Sequence, residues 1–184
     1  METEKISLKG KVIWFYGLSG AGKTTMSDLL AKALKEKGYK VERLDGDIVR
    51  KALCKDLGFS REDVFENIRR IAYVADILSN NGITVIASFI TPHQANRIYL
   101  EEKLGNKLIL IYLSASIRTC MKRDKKGLYE KAINGEIENL AGFNAPFDYK
   151  HDPHPLVYLL TDSSTVEDTY KALKGSLEWW DYEI

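Results

Sequence analysis

Short apolar runs alternate with longer amphipathic segments along most of the chain. Continuous apolar runs are typical of strands buried on both faces, whereas apolar positions three and four residues apart form one face of a helix. The alternation predicts an α/β fold with a parallel sheet flanked by helices on both faces. Five strands are predicted, and they span residues 11–16, 40–45, 83–90, 107–113 and 156–161.

Two of the amphipathic segments have clear helix boundaries. The first follows residue 23, keeps its apolar side chains on one face and stops at Gly38. The second begins at Ser60, which forms a capping pattern with Asp63, and ends at Asn81-Gly82. Further helices are predicted after residue 47, over 93–104 and over 165–180.

The segment from residue 122 to residue 155 breaks this alternation. It is polar, holds three of the four prolines and has one short helical piece. Long irregular segments in compact domains are often lids over active sites, so a lid is predicted over roughly 123–155. His151 and His154 lie here without cysteine partners or helical spacing, which favours a solvated loop over a metal site.

Composition narrows the class of protein. The chain has 184 residues, which predicts a single domain over 1–184, and its formal net charge is +1. This balance argues against a partner such as nucleic acid or a membrane surface. Two cysteines far apart, Cys54 and Cys120, and no run long enough to span a membrane favour free thiols and a cytoplasmic location.

A glycine-rich loop follows the first strand and precedes the first helix. Residues 17–24 match the phosphate-binding pattern G-x-x-x-x-G-K-[ST]. Glycines let backbone N–H groups approach phosphate, the lysine neutralises phosphate oxygens, and the threonine hydroxyl can hold Mg²⁺. ATP is therefore predicted to bind Gly17, Ser19, Gly20, Ala21, Gly22, Lys23, Thr24 and Thr25. The loop alone does not say whether the phosphate is transferred.

Two carboxylates, Asp45 and Asp47, end the second strand. The carboxyl ends of parallel strands form the ligand crevice of such a sheet. Carboxylates there can hold Mg²⁺ with its water and accept a proton from an incoming hydroxyl. A solvated turn is the alternative interpretation of this stretch.

Seven short motifs give a more specific resemblance. They are "GLSGAGKTT", "LDGDIVR", "DLGFSRED", "ENIRRIA", "ASFITP", "RDKKGLY" and "NGEIENLAG". Their order and spacing resemble those of adenylylsulfate kinases over nearly the whole chain. The resemblance implies a P-loop NTPase fold with a mobile lid. It also implies a kinase that uses ATP and Mg²⁺ to phosphorylate the ribose 3′-hydroxyl of adenylylsulfate.

The resemblance also implies roles for individual residues. Lys23 and Asp47 would be catalytic, and Thr24 and Asp45 would arrange Mg²⁺. Arg123 would lie near the ATP purine, together with Asp124 at the base of the lid. The acceptor nucleotide would contact Asp47, Arg50, Phe59, Asn67, Ile90, Lys126 and Leu140. A homodimer is a further expectation, since dimers are common among such kinases.

Several positions depart from the family pattern. Val64 replaces an acceptor-binding arginine and Leu140 replaces a phenylalanine, while Ile48 and the "TPHQ" stretch also differ. The first two changes fall on the acceptor side, where Arg61, Arg69, Arg97 and Phe143 could compensate. They leave a second hypothesis, a kinase for a related nucleotide such as cytidine diphosphoramidate. A nucleotide-binding regulator without transfer chemistry is the third, although retention of Lys23 and Asp47 argues against it.

Overall fold

A computed structural model describes residues 5–148 and 157–184 of the chain. His151, His154 and the lid residues beyond 148 lie outside this range. The described residues form a five-stranded, all-parallel sheet in the order β2-β3-β1-β4-β5. In chain order the strands are β1 (Val12–Tyr16), β2 (Val41–Asp45), β3 (Thr84–Ser88), β4 (Leu108–Ser114) and β5 (Val157–Leu160). The predicted strands are confirmed, each within two residues of its expected ends.

The strands that read as continuous apolar runs occupy the middle of the sheet. Every residue of β1 and of β3 is buried, and so are five of the seven residues of β4. Strand β2, which carries Glu42 and Arg43, lies at one edge. Burial on both faces therefore explains why the central strands lack polar alternation.

Helices cover both faces of the sheet, as predicted. The helices are α1 (Lys23–Glu36), α2 (Gly46–Ala52), α3 (Arg61–Asn80), α4 (Gln94–Leu104), α5 (Ile117–Lys122), α6 (Leu128–Ile133) and α7 (Val166–Trp179). Helices α1 and α7 pack together in one layer, and α3 and α4 pack together in the other. None of the helices in the described ranges is both long enough and apolar enough to cross a membrane.

Helix α3 starts and stops where its sequence predicts. The Ser60 hydroxyl oxygen accepts a hydrogen bond of 3.1 Å from the Asp63 N–H, which satisfies one of the unpaired groups at the helix start. The helix ends at Asn80, and Gly82 follows with a φ of +75°. The intervening buried face carries Ile68, Ile71, Ala72 and Ala75.

The described part of the lid contains one short helix, as expected. Both carboxylate oxygens of Asp124 accept hydrogen bonds at the start of α6, from the N–H groups of Leu128, Tyr129 and Glu130 at 2.8–3.2 Å. A tight turn over 140–145 follows. Cys54 and Cys120 are free thiols and are buried, as predicted.

Candidate active site

The glycine-rich loop lies on the carboxyl ends of the central strands. The Gly17 N–H donates to the Ile90 carbonyl oxygen at 3.3 Å, which ties the loop to the chain leaving β3. Gly17 has a φ of +141°, and a methyl group there would overlap the carbonyl oxygen of Leu113 in β4. Only glycine fits this close approach. The predicted strand–loop–helix context is confirmed, because the loop connects the end of β1 to the start of α1.

Lys23 directs its side chain back over the loop. Its ammonium donates to the carbonyl oxygens of Gly17 and Leu18 at 3.0 and 2.7 Å. Burial of this ammonium, together with the positive charge of Lys126, lowers its pKa to about 8. A partly buried cation of this kind favours an anionic ligand, because a phosphate oxygen would supply the missing negative charge.

Asp45 joins three elements at the rim of the loop. One carboxylate oxygen accepts hydrogen bonds from the hydroxyls of Thr24 at 3.3 Å and Ser88 at 3.2 Å. The other oxygen accepts the Asp47 N–H at 3.0 Å and so caps α2. Hydroxyl and carboxylate oxygens are the donors that Mg²⁺ prefers, and Mg²⁺ usually takes its remaining ligands from phosphate and water. The residues at this rim therefore fit Mg²⁺.

Asp47 points toward the lid and forms an ion pair with Lys126. Lys126 lies in the turn before α6, so this pair brings the lid to the carboxyl end of β2. Both side chains are about half exposed, and exposed ion pairs stabilise a fold little. The pair can therefore be exchanged at small cost for contacts with a substrate. In this arrangement two carboxylates, of Asp45 and Asp47, and two lysines, Lys23 and Lys126, surround the space beside the loop.

Two predicted acceptor residues, Arg50 and Phe59, are brought together. The Arg50 guanidinium lies 4.2 Å from the centre of the Phe59 ring and donates to the carbonyl oxygens of Leu57 and Gly58. Phe59 is 61% exposed, so its ring does not pack into the core. An exposed ring backed by a fixed cation provides a flat platform for a nucleobase.

Asn67 is buried, and its side-chain oxygen has no hydrogen-bond partner among the described residues. Leaving a buried acceptor unpaired costs about 1–3 kcal/mol, so such a group points to a ligand or a bound water. Its position on α3 fits the predicted role in acceptor binding.

The other predicted residues lie around the loop. Ile90 is half-buried and contacts the loop through its carbonyl group, as described above. Arg123 donates to Thr161, whose hydroxyl in turn donates to the Ala21 carbonyl oxygen at 3.2 Å. Leu140 is 5% exposed and belongs to the core, so it does not present an open surface in this state.

Three contacts around the loop were not anticipated from the sequence. Ser88 binds Asp45, Tyr129 donates its hydroxyl to the Ser19 carbonyl oxygen, and Gly142 packs against the Leu18 side chain. Tyr129 ends the "KGLY" motif, so that motif was the available signal for one of them. Ser88 lies in "ASFITP" and Gly142 ends "NGEIENLAG", so quoted motifs contained these two residues as well, although only the folded chain shows which atoms they contact.

Comparisons with known proteins agree with this geometry. The family model described as adenylylsulphate kinase matches residues 9–157. An adenylyl-sulfate kinase of Halothermothrix orenii is 48% identical over 170 residues, which cover 92% of this chain and 90% of that protein. A second, from Chloroflexus aurantiacus, is 44% identical over 184 residues, which cover 100% of this chain and 97% of that protein.

Solved structures give the same result. The Mycobacterium tuberculosis APS kinase CysC in complex with AMPPNP and APS superposes with a TM-score of 0.85 at 34% identity, covering 92% of this chain and 98% of that one. The family-model match over residues 9–157 includes the loop, the carboxylate pair and the described part of the lid. The chain therefore belongs to the adenylylsulfate kinase family of phosphotransferases.

Proposed function

We propose that this protein transfers the γ-phosphoryl group of ATP to the ribose 3′-hydroxyl of adenylylsulfate. The products are ADP and 3′-phosphoadenylylsulfate. The observation that carries the proposal is the contact between the phosphate loop and the carboxylate pair, through the 3.3 Å hydrogen bond from Thr24 to Asp45. It supports transfer over simple storage of a nucleotide, because a hydroxyl acceptor needs a carboxylate next to the phosphates.

The loop residues bind the ATP phosphates in two ways, through one charged side chain and through backbone N–H groups. Lys23 neutralises phosphate oxygens, and the N–H groups from Ser19 to Thr25 surround them. Thr24 and Asp45 would hold Mg²⁺, which when bound neutralises developing phosphate charge. Arg123 borders an open groove of about 530 Å³ with Met121 and Ile133, and this groove suits the purine.

Asp47 would act on the acceptor. Its carboxylate accepts the proton of the 3′-hydroxyl, or orients it, while the new P–O bond forms and ADP leaves. Lys126 must leave Asp47 for this step, and the exposed character of the pair makes that exchange easy. The released ammonium of Lys126 is then free to stabilise the transferring phosphoryl group.

Arg50, Phe59, Asn67 and Ile90 would bind the acceptor nucleotide, and the buried Leu140 would contact it only after the lid moves. The exposed Phe59 ring supports a stacked base, and the unpaired Asn67 oxygen supports a polar contact. Val64 and Leu140 are the reason for a second candidate acceptor, because both replace residues that in the family pattern contact adenylylsulfate. A smaller pyrimidine nucleotide, such as cytidine diphosphoramidate, is that second candidate.

A coupled ADP-release assay tests the proposal across acceptors. Adenylylsulfate is expected to give the highest kcat/KM, followed by other nucleoside diphosphate derivatives. Asp47→Asn is the matched variant, since it keeps the size of the side chain and removes the carboxylate. Greater turnover with cytidine diphosphoramidate would identify that acceptor instead. ATP binding without ADP release from any acceptor would reassign the protein as a regulator.

Three broader expectations remain proposals. They are a single domain over 1–184, a homodimer and a cytoplasmic location. Light scattering on the purified chain measures the oligomeric state, limited proteolysis tests for a second domain, and cell fractionation tests the location.

A further inference from the structure

Tyr129 lies where the lid meets the outer side of the phosphate loop. It is 1% exposed, and its hydroxyl donates a hydrogen bond of 3.0 Å to the carbonyl oxygen of Ser19. These residues are 110 positions apart in the chain. A buried hydroxyl is expensive to leave unpaired, so this contact holds both partners in a fixed geometry.

The contact determines how one peptide group of the loop is oriented. In a planar trans peptide the C=O and the following N–H point in opposite directions. With the Ser19 carbonyl held toward Tyr129, the Gly20 N–H must point away from the lid helix. Gly20 has a φ of +80°, and its Cα lies against the backbone of Cys120, since a methyl group there would come within 2.9 Å of the Cys120 carbonyl oxygen. The peptide is therefore confined from two sides.

Tyr129 is itself firmly placed. Its N–H binds the Asp124 carboxylate at 2.8 Å, and its ring meets Phe143 edge-on with centroids 6.0 Å apart. Burial, together with Cys120, raises the pKa of Tyr129 above its usual range, so the hydroxyl stays a donor at every working pH.

We infer that Tyr129 is a positioning residue of the ATP site, whose hydroxyl keeps the Gly20 N–H directed at the phosphates. The inference rests on the proposed function only in taking the loop as the ATP site, and it does not depend on the acceptor. Without the hydroxyl, the Ser19–Gly20 peptide can rotate and present its carbonyl oxygen to the phosphates. An oxygen facing an anion repels it, so ATP binds less well although the loop residues around the phosphates are unchanged.

Equilibrium binding of a non-hydrolysable ATP analogue tests the inference. Tyr129→Phe removes only the hydroxyl and is expected to weaken binding about five- to tenfold, the effect of losing roughly one net hydrogen bond. KM for the acceptor is expected to stay within twofold of the wild-type value. Tyr170→Phe is the matched control, because the Tyr170 hydroxyl donates to a backbone carbonyl oxygen of α1, that of Leu29, at 3.4 Å. This control should leave analogue affinity unchanged.

The backbone itself supplies a second readout. On addition of the analogue, the Gly20 amide resonance of the wild-type protein should shift strongly, and in Tyr129→Phe the shift should shrink or split. Unchanged affinity and an unchanged Gly20 shift in a folded Tyr129→Phe protein would overturn the inference. Failure of the wild-type protein to bind the analogue would instead overturn the proposed function, so the two failures are distinguishable.

Discussion

At the scale of single residues, the charged side chains of the site have few hydrogen-bond or ion-pair partners within the protein. Lys23 keeps an ammonium among carbonyl oxygens, and Asp47 shares its carboxylate with Lys126. Each arrangement is easily replaced by a substrate group. The roles of such residues can be tested in two ways: by how ligand binding depends on pH, and by whether a substitution changes kcat or KM.

The lowered pKa of Lys23 predicts how ATP binding depends on pH. The free protein loses the Lys23 proton as pH rises through about 8, whereas bound phosphates favour the charged form. ATP affinity should therefore fall above that pH, and binding should take up a proton. Calorimetry at about pH 8.5 in buffers of different ionisation enthalpy measures the uptake. In Lys23→Arg the side chain stays charged, so uptake should vanish, and equal uptake in both proteins contradicts the prediction.

Val64 gives a test of the acceptor at the residue scale. It lies in the first turn of α3 and is half-buried, where the family pattern has an arginine. If adenylylsulfate is the acceptor, Val64→Arg should lower its KM about tenfold, because a charge-assisted hydrogen bond to an anion is gained. Initial-rate kinetics measure this, with Val64→Gln as an uncharged control. A raised or unchanged KM favours the other nucleotide.

At the scale of elements, the lid helix α6 depends on one side chain for its start. Helix α6 has only six residues, so its stability comes from its cap and its packing rather than from its length. Asp124 accepts three N–H groups there, and the adjoining turn carries Lys126 to Asp47. The Asp124 cap therefore links the formation of helix α6 to the position of the Lys126 ammonium in the site.

Asp124→Ala should loosen the lid more than it destabilises the whole protein. Loss of the cap costs about 1–2 kcal/mol locally. Amide exchange over 125–133 should accelerate about tenfold, and kcat should fall. Thr165→Ala is the control, since the Thr165 hydroxyl caps α7 in the same way, at 3.1 Å from the Asp168 nitrogen, on a helix outside the site. Normal kcat in Asp124→Ala, with faster exchange, would show that the cap serves stability alone.

At the scale of the whole molecule, the helical layer of α3 and α4 is joined to the sheet by a partly buried charge. Asp76 of α3 binds Lys103 of α4 at 2.8 Å and also binds Lys107, which precedes β4. The Asp76 carboxylate is 16% exposed, so water screens this cluster less than it screens surface pairs. The hydrogen bonds from Lys103 and Lys107 lower the pKa of Asp76.

The sign of this shift predicts how stability depends on pH. A carboxyl with a lowered folded-state pKa contributes stability above its ordinary pKa, and the contribution is lost as pH falls through the lowered value. Asp76→Asn should reduce the free energy of unfolding by about 1–2 kcal/mol at neutral pH and by less at about pH 3. Urea titrations measure both values. Glu36→Gln removes an exposed pair with Lys32 and should change stability little, and an equal loss in both variants contradicts the prediction.

The sequence by itself determined the features that depend on neighbouring residues. The strands, the Ser60 cap and the loop from Gly17 to Thr24 were all predicted, because apolar periodicity, capping and glycine geometry act within a few residues. The pairing of the loop with Asp45 followed from the same logic, since parallel strands end at one edge.

Tertiary structure alone decided the contacts between distant segments. The strand order has no local signal. The "KGLY" motif marks Lys126 and Tyr129, but it does not say that they meet Asp47 and Ser19, which lie 79 and 110 residues away. Tertiary structure also decided that Phe59 is exposed and that Leu140 is buried. The physical reason is that packing of the whole chain, and not the preference of any one segment, selects which side chains meet and which remain free for a substrate.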